Sequence, residues 1–424
     1  MNNEIFEIIG GNKLFGTIKN QTSKNATLPI MSASLLCDGE VTLYDIPDIT
    51  DVHNMINILN KLGVKTTFED GKLNINSSEI KESTIDCELS KTMRSSLFLL
   101  GSMLSRFGEV DLTLPGGCKI GTRPINLHIK AFKRLGVEIE EFENHVVFNA
   151  KHIKPKRIKL KIPSVGATEN IVQFACKLKG KTTIINAAKE PEVIDLCNFL
   201  NQMGAKILGA GTSKITIYGV DKLLTTEYKP IGDRIVAGTI AVAVAIAGGD
   251  VTITNAVPYQ NLKLIEILQQ IGCQIDFKND ILRITRNGGL LAPVNISTGF
   301  YPDFPTDLQS QMLVLSSLLN GKAKIKENIF ENRFLIVQEL LKMGANIKLK
   351  DSNIAKIKGV SKLNASDLTA KDLRGGAALV LAGLVANGKS TIKDIHYIDR
   401  GYDHIEEMFS SLGATIKRVC QKEV

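Results

Sequence analysis

One pattern recurs six times along the 424-residue chain, and it constrains the fold more tightly than any other feature. The segments CDGEVTLYDI, RFGEVDLTLP, LKGKTTIINA, AGGDVTITNA, LNGKAKIKEN and ANGKSTIKDI carry Gly39, Gly108, Gly180, Gly249, Gly321 and Gly388, spaced 67 to 72 residues apart. A second set, KLGVKT, RLGVEI, QMGAKI, QIGCQI, KMGANI and SLGATI, follows in fixed phase with Gly63, Gly136, Gly204, Gly272, Gly344 and Gly413. Two hexads in register mark six copies of one unit of about 70 residues.

Each copy reads as a small alternating α/β motif. A glycine closing an apolar helix supplies the left-handed cap that a Cβ disfavours. The alternation after it, as in Val41-Thr42-Leu43 or Ala323-Lys324-Ile325, predicts a strand with one buried face. A second helix ends at the second glycine, and strands such as LNIN, VVFN and IAKIKG complete a βαβαββ unit. One unit cannot bury its helix faces alone, so three are expected to pack about a common centre, giving two globules. The chain length also favours two domains. A stacked solenoid is the alternative, although the repeat is long for one.

Composition narrows the function class. The net charge is +8, aromatic residues make up 5% and Trp is absent. With no Lys/Arg tract interleaved with aromatics, this reads as a mildly basic surface or an anion-binding cleft, and no nucleic-acid partner is expected. Cys37, Cys87, Cys118, Cys176, Cys197, Cys273 and Cys420 form no CxxC pair and have no His cluster, so they read as reduced thiols with no metal site. Met1 to Gly11 lacks a basic region followed by an apolar one, and the apolar run Ile235–Gly249 is too short to span a bilayer. A cytoplasmic protein without membrane insertion is expected, with a buried helix over that run and no obligate protein partner.

The repeat also places polar residues together. About fourteen residues before four of the first-hexad glycines stand Asn25, Arg94, Asp307 and Arg374; the third copy puts Gly166 there beside Ser164, and the fourth puts Ile235 beside Asp233-Arg234. These are predicted helix starts, where backbone N–H groups and the dipole favour anions. Capping alone would explain Thr306 and Asp307. It does not explain Arg94 or Arg374, because a cation there opposes the dipole, so each is expected to face a bound anion. A second ring at the following turn holds Asp48, Cys118, Glu190, Glu331 and Asp399, with Arg123, Arg333 and Arg400 beside them.

The turn PGGCKIGTRPINLH resembles the catalytic loop of the UDP-N-acetylglucosamine 1-carboxyvinyltransferase (enolpyruvyl transferase) family. SKNATLPI, MRSSLFLLG, PSVGATEN, AAKEPEVID, DRIVAGT, FPTDLQSQ, FENRF, KDLRGGAALVLAGL and HYIDRGYDHIE agree, so the likeness runs over nearly the whole chain. It implies two inside-out α/β-barrel domains of three repeats each, one over residues 22–231 and one over 1–21 plus 232–424, with the cleft between them. It also implies transfer of the enolpyruvyl group of phosphoenolpyruvate to the 3′-hydroxyl of UDP-N-acetylglucosamine, the first committed step of peptidoglycan synthesis, with no cofactor.

Residue roles come with the resemblance. Cys118 would protonate phosphoenolpyruvate, could form a covalent adduct with it, and would be the target of fosfomycin; Gly116, Gly117 and Gly121 would keep its loop mobile, and Lys119 and Arg123 would favour thiolate. Asp307 would be the base at the sugar hydroxyl. Lys24, Asn25, Arg123, Arg374 and Arg400 would hold phosphoenolpyruvate, with Lys24 and Arg400 also acting in catalysis. The UDP-sugar would meet Asn25, Arg94, Arg123, Pro124, Ile125, Asn126, Leu127, Ser164, Val165, Gly166, Thr306, Asp307 and Ile329. The chain departs from the family pattern at Gln21-Thr22-Ser23, where Ser-Gly-Ala is usual, at Asn126 in place of Asp, and at Gly232 and Val236 in place of Pro and Glu.

Overall fold

The computed structural model describes residues 4–80, 84–85, 97–113, 125–143, 145–289 and 293–420. They fall into two compact units. Described residues up to Gln21 and from Gly232 onward form the C-terminal unit; those between Thr22 and Ile231 form the N-terminal unit.

Each unit carries three four-stranded sheets, one per repeat. In the third repeat, Arg157–Lys159 pairs parallel with Lys181–Ile185, which pairs antiparallel with Lys214–Tyr218, which pairs antiparallel with Lys206–Leu208. The other five sheets have the same order of one parallel and two antiparallel pairs. Two strands come from far along the chain: Glu4–Ile9 enters the sheet of Lys389–Lys393 and Thr415–Cys420, and Leu14–Lys19 forms the parallel edge beside Gly249–Thr254. The strand Glu227–Tyr228 does the same for Glu40–Leu43.

The expected inside-out barrels are not what forms. The six sheets are separate and open, and none closes on itself or curls strongly. Closure around a filled interior takes about eight strands. Here each sheet stops at four, and five of the six end on a parallel edge strand of only two or three residues. So short an edge offers no ladder for a further strand.

The interiors are filled by helices. In the C-terminal unit Arg234–Ala247, Gln309–Leu318 and Leu373–Val385 pack on one another and are buried nearly all round. The first of these covers the apolar run expected to be a buried helix, and every residue but Ala247 is buried. In the N-terminal unit Lys24–Ala33, Leu99–Phe107 and Val165–Ala175 play the same part. Gly101 lies against Asn170, where a Cβ would come within 2.3 Å of a carbonyl oxygen, so glycine sets how closely two of these helices approach. Each unit has its own apolar core built on these helices. No helix among the described residues is long and apolar enough to cross a membrane.

The two glycine hexads do different work. All six of the second set have φ between 85° and 102°, just past a helix end. In the first set only Gly108 caps a helix. Gly39, Gly180, Gly249, Gly321 and Gly388 instead stand at the start of a strand, with φ between 112° and 149°. A neighbouring chain crosses some of them closely: a Cβ would lie 2.6 Å from Thr225 at Gly39 and 1.8 Å from the Leu14 oxygen at Gly249. These glycines mark close backbone approach as well as an unusual φ.

Candidate active site

Four inner helices begin on a side-chain cap. Ser23 and Ser164 accept from Ala26 and Ala167, Asp233 from Ile235 and Val236, and Asp372 from Arg374 and Gly375. Each cap satisfies N–H groups that would otherwise lack an intrahelical partner, and the two aspartates also complement the dipole. The repeat therefore delivers its polar residues to equivalent helix starts within each unit.

In the C-terminal unit the centre of this arrangement is Asp307, on the 3₁₀ turn Thr306–Leu308 that leads into Gln309–Leu318. Its Oδ1 accepts from Arg333 at 2.7 Å and its Oδ2 from Arg374 at 3.1 Å. Both guanidinium groups are buried, while Asp307 is about a quarter exposed. The carboxylate that faces Arg374 in this structure is Asp307; Asp372 caps the same helix start and offsets the cation there. Burial disfavours a charged Arg374, but Asp307 facing it, then Tyr402, hold it firmly protonated. The guanidinium lies 5.6 Å over the Tyr402 ring, and the Tyr402 hydroxyl is 2.9 Å from Thr239 Oγ1 and accepts from Gln311 Nε2 at 3.3 Å. Thus Arg374 is fixed from below by a buried polar network and from the front by a carboxylate.

Two more predicted residues gather around Glu327. Its Oε2 accepts from the Thr306 hydroxyl at 2.9 Å, and its Oε1 accepts from the backbone N–H of Ile329 at 2.7 Å. Arg400 lies on the turn after Ile395–Tyr397. Its neighbour Asp399 is held by both terminal nitrogens of Arg418, at 3.0 and 2.7 Å. Gln21 grips the same turn from the other side, donating to the Gly401 carbonyl at 3.2 Å and accepting from the Asp403 N–H at 2.9 Å. Gly232, another departure from the family pattern, sits so close to Asn255 that a Cβ would be 2.0 Å from its carbonyl oxygen. Val236 is buried in its helix.

In the N-terminal unit Lys24 and Asn25 open the helix Lys24–Ala33, and Lys24 Nζ lies 3.2 Å from the buried carboxylate of Asp51. Ile125 precedes the helix Asn126–Leu135, whose first residues are Asn126 and Leu127. Ser164 caps the helix that Val165 and Gly166 begin. These two helix starts meet through His128, whose Nε2 would be 3.3 Å from a Cβ placed on Gly166. Glu190 precedes the helix Pro191–Gln202. Deep behind, Glu169 is fully buried; burial, then Glu192 and Glu190, push its carboxyl well above the usual range. Burial also drives Asp195 up to about 6, against the Tyr228 hydroxyl and the Ile231 N–H that it accepts, with Glu192 adding to the rise. Arg94, Cys118, Arg123 and Pro124 lie outside the described residues, as does Cys87. Cys37, Cys176, Cys197 and Cys273 are buried, and burial raises each thiol, which makes them poor nucleophiles.

Sequence reading did not single out Asp51, Glu327 or Tyr402, and named Gln21 only as a departure from the family pattern. Each acts through a partner that is distant in sequence, 27 positions for Lys24–Asp51 and 382 for Gln21–Asp403, so no local spacing announced it.

Residues 8–409 match the family model described as EPSP synthase (3-phosphoshikimate 1-carboxyvinyltransferase). The UDP-N-acetylglucosamine 1-carboxyvinyltransferase of Halothermothrix orenii is 46% identical over 98% of this chain and 99% of its own length. UDP-N-acetylglucosamine 1-carboxyvinyltransferase 2 of Caldanaerobacter subterraneus subsp. tengcongensis is 44% identical, with the same two coverages. The chain belongs to the UDP-N-acetylglucosamine 1-carboxyvinyltransferase family. It is an enzyme, a transferase of the enolpyruvyl group. Two solved structures share the family's fold at low identity. The enolpyruvyl transferase NikO from Streptomyces tendae has a TM-score of 0.89 at 23% identity, covering 99% of this chain and 100% of that one. EPSP synthase from Acinetobacter baumannii has a TM-score of 0.74 at 18% identity, covering 98% and 100%.

Proposed function

We infer that this chain transfers the enolpyruvyl group of phosphoenolpyruvate to the 3′-hydroxyl of UDP-N-acetylglucosamine and releases phosphate, the first committed step of peptidoglycan synthesis. The observation that carries this reading is its near end-to-end likeness to enzymes named for that sugar nucleotide.

The reaction needs an acid, a base and anion clamps. The vinyl carbon gains a proton, so that C2 becomes electrophilic; the sugar oxygen attacks it as its own proton leaves; phosphate then departs as a methyl proton is lost. Cys118 is the proposed donor to the vinyl carbon. Asp307 is the proposed base at the 3′-hydroxyl, and its two arginines support that role by fixing both carboxylate oxygens before substrate arrives. A phosphate or carboxylate of phosphoenolpyruvate would compete with Asp307 for Arg374, which would free the carboxylate to accept a proton. Lys24, Asn25, Arg123 and Arg400 are the other proposed contacts of phosphoenolpyruvate. Asn25, Arg94, residues 123–127 and 164–166, Thr306 and Ile329 are the proposed contacts of the UDP-sugar; the meeting of two helix starts through His128 and Gly166 supports a common nucleotide subsite.

The Asp307→Asn variant tests the role of the base. It should bind UDP-N-acetylglucosamine in calorimetry and lose most turnover. Turnover close to that of the unmodified enzyme would rule the role out.

A further inference from the structure

Glu327 is a buried carboxylate with only 2% of its surface exposed, and four donors surround it. Oε1 accepts from the Thr298 hydroxyl at 2.9 Å and from the backbone N–H groups of Ile329 and Phe330 at 2.7 and 3.1 Å. Oε2 accepts from the Thr306 hydroxyl at 2.9 Å. The direction of these bonds is fixed by chemistry. Backbone N–H groups only donate, and an ionised carboxylate only accepts. Thr298 receives the N–H of Asn328 on its oxygen at 2.9 Å, so its own hydrogen goes to Glu327. Thr306 is left as the partner of Oε2, and its single hydrogen is spent there.

We propose that Glu327 is a positioning residue for the acceptor sugar: by taking the hydrogen of Thr306 it turns that hydroxyl into an acceptor only, so this corner of the site selects a ligand group that donates. The proposal rests on the reading that Thr306 faces the UDP-sugar. The donor would be an amide N–H or a hydroxyl of the sugar. Glu327 also ties the Ile329–Phe330 turn to the segment that carries Thr306 and Asp307, so a single carboxylate sets the spacing of two proposed sugar contacts and the proposed base. A hydroxyl free to rotate would accept or donate and would not discriminate.

The Glu327→Gln variant is nearly isosteric. Its remaining carbonyl oxygen can keep the three donors on Oε1, while its NH₂ faces Thr306 and forces that hydroxyl to accept, releasing its hydrogen toward the ligand. Removing one matched hydrogen bond and presenting a donor to a donor should weaken UDP-N-acetylglucosamine binding by about tenfold. In a double-mutant cycle with Thr306→Val, binding measured by calorimetry on the full chain, we expect the double variant to bind no worse than Thr306→Val alone, with the KM for phosphoenolpyruvate within about twofold throughout. Additive losses, or Glu327→Gln binding as tightly as the unmodified chain while Thr306→Val is weakened, overturn the proposal and leave the subsite standing. Thr306→Val binding unchanged overturns the subsite reading itself, and the proposal with it. Should Glu327→Gln fail to fold, two ligands put the same question to the unmodified chain: one with the 2-amide N–H replaced by an ester oxygen, one with the 3-hydroxyl methylated. One of them should lose about tenfold on the unmodified chain and little on Thr306→Val. Equal losses on both proteins contradict the proposal.

Discussion

Asp307 and Arg374 stand 67 positions apart in the chain, yet Oδ2 of one and Nη2 of the other are 3.1 Å apart. The pairing follows from the repeat. The two residues occupy equivalent helix starts in successive copies, and the inner helices that they open pack together. Arg333, from the turn between them, takes the other oxygen.

This geometry predicts that charge alone will not replace Arg374. Arg374→Lys keeps the cation but cannot stack over Tyr402 and reach Asp307 with the same planar fork. The expected result is a fall in kcat/KM of at least about a hundredfold, a loss typical of a buried charge pair deprived of its geometry. Steady-state phosphate release measures it.

Gln21 should matter to phosphoenolpyruvate more than to the sugar, because it holds the turn that carries Arg400. Replacing it with the family's usual serine removes both hydrogen bonds to that turn. We expect a several-fold rise in the KM for phosphoenolpyruvate, consistent with about 1 kcal/mol per lost bond, with the KM for UDP-N-acetylglucosamine little changed. Saturation curves for each substrate decide it.

A pH dependence of stability follows from Asp195. Its folded carboxyl is raised to about 6, above the ordinary carboxylate value. The folded state therefore binds the proton more tightly than the unfolded chain does. Its stabilising contribution is full below the unfolded pKa and is lost as pH rises through about 6, a change on the order of 3 kcal/mol. Denaturant melts between pH 4 and 7 should show this fall, and Asp195→Asn, which resembles the protonated carboxyl at every pH, should flatten it.

Much of this was legible in the sequence because a repeat converts local signals into long-range ones. A period near 70 residues located six sheets and the inner helix starts, and so brought Asp307 and Arg374 into equivalent positions. Sheet closure was not legible: alternation fixes which face of a strand is buried, but not whether a two-residue edge strand such as Ile296–Ser297 recruits a further neighbour. The first-hexad glycines were readable as punctuation yet not as strand starts, since the chains crossing Gly39 and Gly249 come from Thr225 and Leu14. Glu327 was hidden for a similar reason. A glutamate after a strand is ordinary surface chemistry until the fold folds Thr298 and Thr306 over it.

Cys118 is expected to set sensitivity to fosfomycin. Cys118→Asp removes the nucleophilic sulfur while keeping a proton-carrying group, so the variant should resist the covalent inactivation expected of the unmodified chain. Mass spectrometry after incubation reports it directly, and alkylation of the variant to the same extent would place the reactive thiol elsewhere.

An enzyme of the proposed activity consumes phosphoenolpyruvate only with its sugar partner. The decisive measurement is phosphate release by the purified full chain from phosphoenolpyruvate, with and without UDP-N-acetylglucosamine. Release should require both substrates and match the enolpyruvyl sugar nucleotide formed, one for one. Release that is absent, or that proceeds equally without the sugar nucleotide, would contradict the proposed activity.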